Sequence, residues 1–133
     1  MGDEHSVSES NWLRRRVLVA DNEPGVHQLI AEVLQRHGLD VEVVGDGLDA
    51  VQRIEQGGID LLVCDLMMPR MGGFEVLERL SMISTAPPVF VVSGHLDGSV
   101  EADLRRSPLV RGMRCKPFDL FAFAADIRAL LSA

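Results

Sequence analysis

The sequence contains no apolar run approaching the roughly 18 uninterrupted residues that a membrane-spanning helix needs. No membrane span is therefore expected. Its N-terminus, Met1-Gly2-Asp3-Glu4, is acidic and polar where a secretory signal would be basic and then apolar, so the expected address is the cytoplasm. Positive charge is scarce, with 13 Lys and Arg against 20 Asp and Glu and a net charge of −7. Nonspecific nucleic-acid binding needs a basic surface, so no direct contact with nucleic acid is expected of this segment. The basic run Arg14-Arg15-Arg16 leads into an apolar strand and is too short to reverse that balance. Cys64 and Cys115 are the only two cysteines, both in apolar, strand-like runs, and they read as buried free thiols of a reducing compartment. Neither a G-x-G-x-x-G nor a Walker glycine loop follows the first strand, which argues against a nucleotide-binding enzyme. Lysine is the scarcest cation: Lys116 stands alone among Arg residues. Where Arg is the habitual cation, a solitary Lys points to a place that needs a compact ammonium.

What is present is a regular alternation. The length of 133 residues fits one domain with a real core, expected over residues 15–133 after a flexible tail at residues 1–14. Val17 to Ala20 reads as a buried strand running into Asp21-Asn22-Glu23-Pro24, and Pro24 opens a helix whose stripe is Val26, Leu29, Ile30, Val33 and Leu34. Gly38 stops it. Val41 to Val44 forms a second strand, Gly45-Asp46-Gly47 a turn, and Leu48, Val51 and Ile54 a helix ended by Gly57-Gly58. Ile59 to Cys64 is a third strand, apolar enough to be buried on both faces, and it stops abruptly at the carboxylate of Asp65. Pro69 and Gly72-Gly73 separate it from a helix carrying Phe74, Val76, Leu77 and Leu80. Val89 to Val92 is a fourth strand before Ser93-Gly94-His95, and Ser99 to Arg106 is a helix anchored only by Val100 and Leu104. Val110 to Cys115 is a fifth strand, polar enough to lie at an edge. The last helix runs from Leu120 to Leu131 with Leu120, Phe121, Ala124, Ile127 and Leu131 inward.

Strand and helix alternating five times call for an α/β fold, a parallel sheet with right-handed crossovers and helices on both faces. In such a sheet the strand ends gather along one edge, where ligands bind. That edge collects Asp21, Asn22, Asp65, Ser93 and Lys116. Carboxylates, a hydroxyl and an ammonium suit phosphoryl chemistry. Hard oxygen ligands such as Asp21 and Asp65 suit Mg²⁺, and a carboxylate can act as nucleophile to form an acyl phosphate. Lys116 and the metal would neutralise the phosphoryl oxygens, with Ser93 donating to one of them.

The four segments Val17 to Pro24, Asp60 to Phe74, Pro88 to Gly94 and Lys116-Pro117-Phe118 together resemble the receiver domain of two-component response regulators. The resemblance implies a flavodoxin-like, doubly wound sheet of five parallel strands in the order 2-1-3-4-5 with five helices. It also implies Asp65 as phosphoacceptor, Asp21 as an acidic-pocket residue, Ser93 as switch hydroxyl, Lys116 as phosphate-binding lysine and the backbone carbonyl of Met67 as a metal ligand. A cis bond before Pro117 often accompanies this pattern. With strand four between strands three and five, Cys64 and Cys115 are expected to stand too far apart for a disulfide.

This sequence departs from the family pattern at two positions. Asn22 stands where a second Asp is usual, so the metal set becomes Asp21, Asn22, Asp65 and Met67, with weaker Mg²⁺ binding expected and Glu23 available as a substitute. Met113 stands where receivers usually carry Tyr or Phe as a rotameric switch. The expected function is a phosphoacceptor of a two-component or phosphorelay system, phosphorylated on Asp65 by a histidine kinase or a histidine phosphotransfer protein. It would act on a downstream protein target or a fused output domain, and be no enzyme beyond its own phosphoryl transfer and dephosphorylation. The alternative is a pseudo-receiver, a phosphorylation-independent interaction module, motivated by Asn22 and Met113. The sequence stops just after the fifth helix, which fits either a single-domain regulator or the receiver piece of a larger one.

Overall fold

A computed structural model describes residues 14–132. The expected tail therefore lies, except for Arg14, outside the described residues, and Arg14 is already tied down by its N–H to the carbonyl of Gly38 at 3.0 Å. Five strands form one parallel sheet: β1 Arg16–Ala20, β2 Asp40–Val44, β3 Leu61–Asp65, β4 Val89–Ser93 and β5 Val110–Cys115. Between and after them lie α1 Pro24–Arg36, α2 Gly47–Glu55, α3 Gly73–Leu80, α4 Gly98–Arg105 and α5 Leu120–Ser132. The strand order is β2-β1-β3-β4-β5, the doubly wound order expected.

Burial follows that order. All five residues of β3 and of β4 are buried, whereas the outer strands β2 and β5 contain none that are. Alternate side chains of each central strand enter different cores, as a period of two requires. Leu18, Leu62, Cys64, Val89 and Val91 pack with Val51 and Ile54 of α2, Val76 and Leu80 of α3 and Leu104 of α4. Val17, Val19, Leu61, Val63, Phe90 and Val92 pack on the other face with Ile30 and Leu34 of α1 and Phe123, Ile127 and Leu131 of α5. Each core residue here removes apolar surface from water at about 25 cal/mol per Å², which holds the helices to both faces.

The helices begin where local chemistry satisfies their free N–H groups. Asp46 caps α2 by accepting from Asp49 N–H at 2.8 Å, and Asp97 caps α4 by accepting from Val100 N–H at 2.9 Å. Asp119 accepts from the N–H groups of Phe121 and Ala122 at the start of α5. Gly38, with φ of 88°, takes the left-handed turn after α1 at no steric cost.

Four readings of the sequence are corrected. Gly45-Asp46-Gly47 is not only a turn, because Asp46 is a helix cap and Gly47 the first residue of α2. A side chain at Gly47 would overlap the carbonyl oxygen of Met71, so the helix can begin this close to the β3–α3 loop only with glycine there. Phe121 is not inward: it is 82% exposed, while Phe123 is fully buried. The buried stripe of α5 runs Phe123, Ala124, Ile127 and Leu131, and Phe121 falls outside that phase. Cys115 is exposed, at the end of β5, an edge strand among the described residues; Cys64 is buried, and both thiols are free. Leu29, expected within the α1 stripe, is 53% exposed at its margin. Among the described residues no helix is long and apolar enough to cross a membrane.

Candidate functional site

The carboxyl ends of β1, β3 and β5 place an ammonium among three carboxylates. Lys116 Nζ lies 2.8 Å from Asp21 Oδ2, 2.7 Å from Glu23 Oε1 and 3.0 Å from Asp65 Oδ2. The backbone explains the convergence. Asp65 is the last residue of β3, Asp21 follows the last residue of the neighbouring β1, and Lys116 N–H donates to the carbonyl of Ser93 at 2.7 Å as β5 ends. The Lys116–Pro117 bond is cis.

Asp21 is wholly buried and Asp65 is 4% exposed, so two charges sit where water reaches little of either. Their hydrogen bonds are local and oriented: Asp21 Oδ1 accepts from Glu23 N–H at 2.8 Å, and Asp65 Oδ1 from Met67 N–H at 3.2 Å. Asp21 Oδ2 makes the close charge contact with Lys116 yet accepts no aligned hydrogen bond, leaving a buried oxygen short of a partner. Burial acts against the charged form of Lys116, but the carboxylates of Asp21, Glu23 and Asp65 outweigh it and raise the pKa above the ordinary lysine value. The ammonium is therefore fixed as a cation.

One ligand oxygen from each of Asp21, Glu23 and Asp65 falls within 4.8 Å of the others. Hard carboxylate oxygens at this spacing, with the unsatisfied Asp21 Oδ2 among them, fit a small divalent cation such as Mg²⁺, which takes one or two carboxylates and fills its remaining positions with water and phosphate oxygens. A cleft of about 450 Å³ opens beside Asp65, lined by Asn22, Glu23, Asp65, Met67, Gly94 and His95.

Of the residues singled out from sequence, Asp21, Asp65 and Lys116 are in direct contact. Asn22 is exposed on the wall of the cleft that Met67 also lines. Ser93 is wholly buried on β4, one residue past Val92, the register partner of Asp65; its hydroxyl accepts from His95 N–H at 3.2 Å rather than meeting the ammonium. Met113 is half-buried and packs on the core under α2 to α4.

Two features escaped the sequence reading. Arg70, in the loop after β3, donates to Asp46 Oδ2 from Nε at 2.9 Å and to Asp49 Oδ1 from Nη2 at 3.0 Å, clamping the loop that carries Met67 to the first turn of α2. An Asp-x-x-Asp start to a helix was the available signal, but nothing in the sequence pairs it with an arginine 21 residues on. The second is His27, whose Nδ1 lies 3.0 Å from the carbonyl oxygen of Asp21, bracing the β1–α1 loop.

The family model described as the response regulator receiver domain matches residues 17–120. The chain belongs to the response regulator receiver family. This receiver is 32% identical over 116 residues to the transcriptional regulatory protein TrcR of Mycobacterium tuberculosis, covering 87% of the chain and 45% of TrcR. It is 30% identical over 119 residues to the DNA-binding response regulator MtrA of Mycolicibacterium smegmatis, covering 90% of the chain and 51% of MtrA. The chain thus spans about half the length of these curated relatives. Among solved structures, the receiver domain of the Francisella response regulator 1452 superposes with a TM-score of 0.82 at 26% identity, over 88% of this receiver and 96% of that one.

Proposed function

We propose that this receiver accepts a phosphoryl group on Asp65 from a phosphohistidine, presented by a histidine kinase or a histidine phosphotransfer protein, with Mg²⁺ in the acidic cleft. The observation that carries the reading is the 3.0 Å contact between Lys116 Nζ and Asp65 Oδ2, made across 51 residues of sequence and repeated at 2.8 Å with Asp21. A carboxylate is ionised at neutral pH, so Asp65 needs no general base. Its oxygen attacks phosphorus, the P–N bond breaks, and the electron pair stays on the imidazole nitrogen. Bound Mg²⁺ supplies neutralising charge to the phosphoryl oxygens. Asp21, Asp65, Asn22 and the Met67 carbonyl are its proposed ligands, and Lys116 would pair with a phosphoryl oxygen. Ser93 would exchange its present bond with His95 N–H for one to the acyl phosphate, drawing the β4–α4 loop with it and shifting the face of α4, β5 and α5 between two arrangements.

Output would pass through a protein target or a fused output domain. MtrA is named as DNA-binding, and this receiver corresponds to 51% of it, with a net charge of −7 that disfavours direct contact with nucleic acid. Incubation with acetyl phosphate and Mg²⁺ should add the mass of one phosphoryl group to the intact protein, and Asp65→Asn should abolish the addition. No addition to the unaltered protein would sink the reading. Asn22 and Met113 favour the rival, a phosphorylation-independent interaction module. For that rival, partner binding would be indifferent to Asp65→Asn.

A further inference from the structure

Lys116 has three N–H donors, and three carboxylates surround it. Its hydrogen bonds go to Glu23 and Asp65, while Asp21 makes a close charge contact without an aligned hydrogen bond, so a phosphoryl oxygen arriving on Asp65 competes with these carboxylates for the ammonium. Asp21 and Asp65 are buried and have nowhere else to place a charge. Glu23 differs from both. Its side chain is 60% exposed, and its only side-chain hydrogen bond or ion pair among the described residues is the one to Lys116 at 2.7 Å. Its backbone is nevertheless held at the site, because Glu23 N–H donates to Asp21 Oδ1 at 2.8 Å. The carboxylate is thus a short arm on a fixed shoulder. Its oxygen already lies within 4.8 Å of ligand oxygens on Asp21 and Asp65, and Asp21 Oδ2 is buried without a hydrogen bond. The neighbouring cleft residue, Asn22, offers only a neutral amide.

We infer that Glu23 is an exchangeable carboxylate of this site. It holds Lys116 when no divalent cation is bound, and it becomes the third carboxylate ligand when Mg²⁺ enters, which releases a Lys116 N–H for the phosphoryl group. Glu23 therefore supplies the negative charge that the neutral Asn22 cannot. The inference rests on the phosphoacceptor reading above and adds to it a residue that couples metal binding to the readiness of Lys116.

Isothermal calorimetry of Mg²⁺ binding tests this on four proteins: unaltered, Glu23→Gln, Asn22→Asp and the double variant. Both positions are exposed, so the substitutions leave the core untouched. Glu23→Gln should raise the Mg²⁺ dissociation constant about tenfold, the scale on which supporting groups change metal affinity. Asn22→Asp should tighten binding only slightly in the unaltered protein, where Glu23 fills the role, but recover most of the loss in the Glu23→Gln background. That non-additivity marks two residues competing for one place. An unchanged dissociation constant in Glu23→Gln overturns the inference, as does an equal gain from Asn22→Asp in both backgrounds, which would mean that Glu23 acts only through its distant charge. The two readings fail separately. An unaltered protein that neither binds Mg²⁺ nor is phosphorylated defeats the phosphoacceptor reading, whereas one that does both while Glu23→Gln changes nothing defeats this inference alone.

Discussion

At the scale of single residues, Lys116 holds together a cluster that would otherwise repel itself. Removing one partner of a buried ion pair leaves an uncompensated charge, and here two carboxylates, Asp21 and Asp65, would be left buried without their cation. Lys116→Met is therefore expected to cost roughly 3–5 kcal/mol of stability, measured by denaturant unfolding. Mg²⁺ should then raise the thermal midpoint of the variant by more than that of the unaltered protein, since the cation replaces the missing positive charge. The linkage has a definite sign. Because the folded pKa of Lys116 lies above its ordinary value, its stabilisation is complete below about pH 10.4 and fades only as pH rises through the folded value. Lys116 was legible in the sequence because it is the only lysine. Its contact with Glu23 was not, since the direction of an exposed arm depends on where β5 ends.

At the scale of elements, α2 and β5 show how local chemistry fixes the parts of the site. Asp46 caps α2 and also receives Arg70; the Asp49 N–H hydrogen bond foremost, and then Arg70, hold its carboxyl below the usual range. A depressed folded pKa means stability present above about pH 3.9 and lost as pH falls through the folded value. Asp46→Ala should cost about 1 kcal/mol at pH 7, in line with the loss of a cap. The difference from the unaltered protein should shrink in acid, read from urea midpoints at pH 7 and pH 3. On β5, a register shift between Val89 and Phe90 skips Arg111 and sets Gly112 opposite Phe90. The Phe90 ring lies where a Gly112 side chain would go and packs edge-on against Phe123, with centroids 5.4 Å apart. Gly112→Ala is expected to lose about 1–3 kcal/mol through overpacking, checked by chemical denaturation. The elements themselves were readable from apolar period and from Gly and Pro punctuation. The bulge was not, because it is a matter of how β5 pairs with β4, and the exposure of Phe121 followed from helical phase rather than from its apolar character.

At the scale of the whole molecule, strand order turns scattered residues into a site. Parallel strands with their ends on one side bring Asp21, Asp65 and Lys116 together whatever their separation in sequence, so the convergence was legible once the alternation of strands and helices was recognised. Metal and switch geometry were less so. The Ser93 hydroxyl is turned to His95 N–H, and the loop bearing Met67 is held by a clamp between Arg70 and α2 that no periodicity announces. Burial likewise depends on position in the sheet: Cys64 in a central strand is sealed, with its thiol pushed up to about 12 chiefly by desolvation, while Cys115 on the outer strand is open. The peripheral place of β5 also bears on how the molecule assembles. The strands supplying negative charge are laid down first and lie inside, and the positive charge arrives with the final strand, so a nascent or partly refolded chain must hold like charges side by side until its far end docks. A divalent cation present at that moment could act as a temporary counter-ion. Stopped-flow refolding is accordingly expected to be faster in Mg²⁺ than in an equal ionic strength of sodium chloride.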